Sequence, residues 1–104
     1  MISLIQNAHS YPSRIAIISE NNEYSYRNLL DDSEKAASVL LGGKNDLEEE
    51  RVGFLVSPGY EYVVAQWGIW RSGGIAVPLS TSAPLPSLQH VIDDAQISTL
   101  IIGA

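Results

Sequence analysis

The side chains that could do chemistry here are few and scattered. Ser57-Pro58-Gly59 sits between an apolar run and a helical pattern, where a helix N-terminus can offer free backbone N–H groups to a phosphate. One glycine, with no further glycines and no lysine, makes neither a GxGxxG fingerprint nor a P-loop. A tight turn with Ser57 near the N-cap is the simpler reading. Gly73-Gly74 follows a helical pattern and reads as a C-cap rather than a phosphate cradle. His9 and His90 are the only imidazoles. Asp93 and Asp94 lie close to His90, but a metal centre needs more convergent ligands. No GxSxG elbow occurs, so a Ser-His-Asp triad has no nucleophile, and both histidines read as solvated. Asp31-Asp32 and Asp93-Asp94 fall on helical stretches and suit solubility better than acid–base work; Asp46 to Glu50 reads as a solvated loop. Trp67 and Trp70 could touch a cofactor, but their helical spacing fits packing. A phosphoacceptor receiver domain would need an aspartate at the end of a central strand; the strand ends here carry Ser57, Ser80 and Gly103. No residue is assigned a catalytic, cofactor-binding or metal-binding role.

Composition narrows the classes further. A length of 104 residues allows one domain with one modest core. Charged residues make up 17%, below the usual share of about 25%, which suggests surface meant to be covered. Twelve acidic and six basic residues give a net charge of −6. That charge gives nucleic-acid binding and anionic membrane surfaces little footing. With no cysteine there is no disulfide framework, thiolate zinc site or cysteine nucleophile. No apolar run approaches the roughly 18 residues of a membrane span. The start has no cationic region followed by an apolar one, so a cytoplasmic protein is expected.

The elements that would position these residues follow from periodicity. Met1 to Tyr11 reads as a short helix stopped by Pro12, with Leu4, Ile5 and Ala8 on one face. Arg14 to Ser19 is a β-branched run. Asn21-Asn22 supplies a turn and Glu23-Tyr24-Ser25 returns as a short partner strand. Ser25 is an N-cap for a helix from Tyr26 to Leu41. Its apolar face carries Tyr26, Leu29, Leu30, Ser33, Ala37, Leu40 and Leu41; Arg27, Asp31, Glu34, Lys35 and Ser38 lie opposite. Gly42-Gly43 stops it, and Lys44 to Glu50 is a polar surface loop. Arg51 to Val56 is a continuous apolar run, as in a strand buried on both faces. A helix from Tyr60 to Ser72, a strand from Ile75 to Leu79, a helix from Pro86 to Ala95 and a strand from Ile97 to Ile102 complete the chain. The inner face of the last helix carries Leu88, Val91, Ile92 and Ala95.

This order predicts an α/β fold: a partial doubly wound parallel sheet (β-α-β-α-β) preceded by an N-terminal helix, a β-hairpin and a helix. Two features imply a fragment of a larger domain. The helix Tyr60–Ser72 is apolar on two stripes, Tyr60/Val63/Val64/Trp67 and Tyr62/Ala65/Ile69, as in helices buried on two sides. A parallel sheet also needs cover on both faces, and only two crossover helices are available. The alternative is a small three-layer domain covered by the N-terminal helix and hairpin.

The stretch Arg51 to Ile102 resembles the opening third of the large domain of AMP-forming acyl-CoA synthetases. In that family a strand reading Arg-Val-apolar leads to a helix and then to an Arg-Ala/Ser-Gly-Gly-apolar-Ala-Val-Pro-Leu segment, here Arg71 to Leu79. A helix ending in an acidic residue and a strand follow. Upstream, Tyr11-Pro12, the Arg14–Ser19 strand, Tyr24-Ser25-Tyr26 and Leu29-Leu30 fall in family order. YVVAQWGIW and the segment from Ser72 to Asp94 are most similar to the malonyl-CoA synthetase group. The resemblance implies residues 1–104 as the N-terminal part of an AMP-binding large domain, incomplete. It implies ATP, Mg and coenzyme A for the full-length family, none of them bound by this chain alone. It also implies a small carboxylic acid substrate, and as partner the remainder of the parent fold. In that family a carboxylate attacks the α-phosphate of ATP, and the thiol of coenzyme A then displaces AMP. The loop ending in lysine, the magnesium-binding acid and the lysine of the mobile domain all lie beyond residue 104 in family order, so no catalytic residue carries over. The reading from another class is a non-catalytic α/β interaction module acting through a surface around Tyr62, Ile69 and Trp70.

Overall fold

The computed structural model describes residues 3–103. Helix α1 spans Ser3–His9 and buries Ile5 and Ala8. Leu4, expected on the same face, is exposed. Met1, the expected start of this helix, lies outside the described residues.

Strands β1 (Ile15–Ser19) and β2 (Asn22–Ser25) form an antiparallel hairpin, separate from the main sheet. Its two-residue turn is one position earlier than expected. Ser19 pairs with Asn22, so Glu20 and Asn21 are the turn residues, with φ of 52° and 68°. Two positive φ values match the right-handed twist of the flanking strands. Asparagine tolerates that conformation well and glutamate poorly, which is why the two asparagines draw the expectation one residue too far.

Helix α2 (Tyr26–Leu41) starts at Ser25 in a closed capping box. The Asn28 N–H donates to Ser25 Oγ at 3.2 Å, and the Ser25 N–H donates to Asn28 Oδ1 at 3.0 Å. The helix ends at Gly42, whose φ of 56° is left-handed. Between these caps Leu29, Leu30, Ser33 and Ala37 are buried, as the periodicity predicts.

Strand β3 (Arg51–Leu55) is the centre of a three-stranded parallel sheet of order β4-β3-β5, with β4 at Ile75–Pro78 and β5 at Thr99–Ile102. Helices α3 (Tyr60–Arg71) and α4 (Leu85–Asp94) are the crossovers. The chain steps from the centre to one edge and back past the centre to the other. Right-handed crossovers then put α3 and α4 on opposite faces, the doubly wound arrangement. Side-chain alternation agrees. Val52, Phe54 and Val56 are buried against Ala65 and Ile69 of α3. On the other face, a Cβ at Gly53 would lie 3.1–3.2 Å from Ile97 and Leu100.

The two apolar stripes of α3 have separate partners. Ala65 and Ile69 join the sheet cluster, while Trp67 joins a second cluster with Ile5, Ala8, Leu29 and Leu30. The helix is thus buried on two sides by this chain's own elements. The second feature, incomplete cover of the sheet, holds: α4 has no buried residue and β5 shows Ile102 at 69% exposure. Val91, expected on the inner face of α4, is exposed. No helix among the described residues is long and apolar enough to cross a membrane.

Candidate site at the turn between β3 and α3

The turn Ser57-Pro58-Gly59 lines a cleft of about 210 Å³ together with Ser19, Glu20, Tyr24, Val56, Tyr60 and Glu61. It opens at the C-terminal end of β3, the end at which doubly wound sheets bind ligands. Local sequence builds it. Gly59 precedes α3 with φ of 151°, and a Cβ there would approach Ser19 Oγ to 3.1 Å. Only glycine combines that backbone with that contact. The N-cap position is therefore Gly59 rather than Ser57, and no side chain caps the helix.

Tyr60 ties the turn to the rest of the fold. Its ring stacks on Tyr24 with centroids 3.7 Å apart and planes 7° from parallel. Its hydroxyl donates to Asp32 Oδ2 at 2.6 Å. Burial first, then the hydrogen bond and negative charge of Asp32, push the Tyr60 hydroxyl well above the usual phenol value. Asp32 is thus a structural acceptor between α2 and α3, not merely a solubilising charge.

The cleft does not suit a triphosphate. Its lining contains no lysine or arginine, and Glu20 and Glu61 set two carboxylates against the helix's partial positive end. Among the described residues no group of three or more metal-ligating side chains converges. The residues present therefore do not fit ATP-Mg, and no step of adenylation is built from them. The histidines are also apart from the cleft. His9 hydrogen-bonds the Ile5 carbonyl at 3.0 Å at the end of α1, and His90 pairs with Asp94 at 3.0 Å on the surface of α4.

The other singled-out residues are structural. Gly74 N–H donates to Ile69 O at 2.9 Å and Gly73 N–H to Trp70 O at 3.1 Å, closing α3 with a Schellman motif. A Cβ at Gly73 would run into the Asp46 carboxylate. Trp67 is 4% exposed, a core residue as its spacing predicts, and Trp70 packs on the same cluster. Ile69 is completely buried and offers nothing to an interaction surface around Tyr62 and Trp70. Two further structural roles were not read from the sequence. Leu47, inside the supposedly polar loop, is buried in the sheet cluster. Arg71 donates to Leu30 O at 2.6 Å and to Ser33 Oγ at 2.9 Å, bridging α3 to α2. Ser33 on an apolar face was the available signal, since a buried hydroxyl asks for a partner.

The sequence profile described as AMP-binding enzyme matches residues 4–104. The chain belongs to the AMP-binding enzyme family. The mitochondrial malonate–CoA ligase ACSF3 of Mus musculus is 43% identical over 92% of this chain and 17% of its own length. The malonate–CoA ligase of Arabidopsis thaliana is 34% identical over 85% of this chain, again 17% of its own length. This chain thus spans about 17% of those relatives, and the likeness to the malonyl-CoA synthetase group is borne out. Among solved structures, the O-succinylbenzoate coenzyme A synthetase MenE from Bacillus subtilis superposes with a TM-score of 0.86 at 24% identity, covering 97% of this chain and 21% of that one. The N-terminal domain of FACL13 from Mycobacterium tuberculosis gives 0.85 at 23% identity, covering 97% and 26%. In these structures the fold described above is one part of a larger domain.

Proposed function

We propose that these residues form the N-terminal part of the large domain of an ATP-dependent acid–thiol ligase of the AMP-forming acyl-CoA synthetase type, with malonate as acyl substrate. The observation that carries the reading is the 43% identity to a malonate–CoA ligase over 92% of the chain. The role of this segment in such an enzyme is to hold the first strands of the sheet and their helices in register. The groups that bind ATP-Mg and coenzyme A belong to the rest of the enzyme.

The 104-residue chain alone is inactive on this reading. Adenylation needs a carboxylate held in line with an α-phosphate and a cradle of cations around the triphosphate; the cleft before α3 supplies two carboxylates instead. Calorimetry of the purified chain with ATP-Mg should show no saturable heat, and malonate-dependent pyrophosphate exchange should be absent. Either signal would overturn the inactivity.

A chimera tests the family role. This chain, replacing the matching segment of the mouse malonate–CoA ligase, should give an enzyme that forms malonyl-CoA from malonate, ATP and coenzyme A. A folded chimera without turnover would count against the scaffold role. An enzyme that contains this segment natively should prefer malonate over acetate and propionate. A preference for a monocarboxylate would remove the malonate assignment and leave the family membership intact.

A further inference from the structure

We draw no further inference here: the strongest candidate, the groove between α1 and β1 where the Arg14 guanidinium lies 4.1 Å over the Tyr11 ring beside Leu4 and Ile15, is an unpartnered apolar face, and nothing in the structure shows what covers it.

Discussion

At the residue scale, Tyr60 is the side chain with the most to lose. Its hydroxyl is bonded to a carboxylate and its ring is stacked on Tyr24. Tyr60→Phe keeps the stack and removes the bond, so it should cost about 1 kcal/mol by urea denaturation at neutral pH. The raised hydroxyl pKa also fixes a pH dependence. Folded Tyr60 holds its proton more tightly than the unfolded chain, whose phenol titrates near 10.0. Its stabilisation is therefore complete below that pH and is lost as the pH rises further. Above pH 10 the urea midpoint should fall more steeply for the native chain than for Tyr60→Phe. Equal slopes would remove Tyr60 from the alkaline transition. None of this was legible from sequence, because Asp32 and Tyr60 are 28 positions apart and periodicity gives no information about which helix faces which. The Ser57–Gly59 turn was legible as a turn. That its cap is the glycine was not, because the contact with Ser19 is tertiary.

At the element scale, helix ends and faces could be read and helix contacts could not. Ser25, Gly42 and the Gly73-Gly74 stop all act where local chemistry puts them, since caps are set by a few adjacent residues. Ser25→Ala should destabilise the fold by about 1 kcal/mol in thermal or urea unfolding. The α2–α3 contact is different. A Cβ at Gly68 would fall 2.7 Å from the Ala36 Cβ, so the two helices meet at a glycine that sequence alone marks only as a weak helix former. Gly68→Ala should cost about 1–2 kcal/mol despite its better helix propensity. Adding Ala36→Gly should recover part of that loss, with a coupling above about 0.5 kcal/mol in a double-mutant cycle. Additive effects would mean that the helices do not meet at these two residues.

At the scale of the whole molecule, the order of elements and the parallel sheet could be read from apolar runs alternating with helical patterns. The incomplete cover of the sheet was legible for the same reason. What it exposes is specific: Leu85 at 76%, Ile102 at 69%, and the unpaired edge of β5 without a lysine or proline in the strand. Such an edge invites pairing with another chain. The sedimentation coefficient of the isolated chain should rise with concentration, and Ile102→Lys should suppress the rise. A concentration-independent monomer in the native chain would contradict this. The loop between α2 and β3 shows how abruptly tolerance changes along the same surface. Cβ atoms at Gly42 and Gly43 would meet nothing within 4 Å, whereas Leu47, a few residues on, is buried and its N–H donates to Ser72 O at 2.9 Å. The bond between Gly43 and Lys44 is therefore a natural port for foreign sequence. An epitope tag or a small fluorescent domain spliced there would hang from the molecule without entering it, while the same graft after Leu47 would pull a plug out of the core.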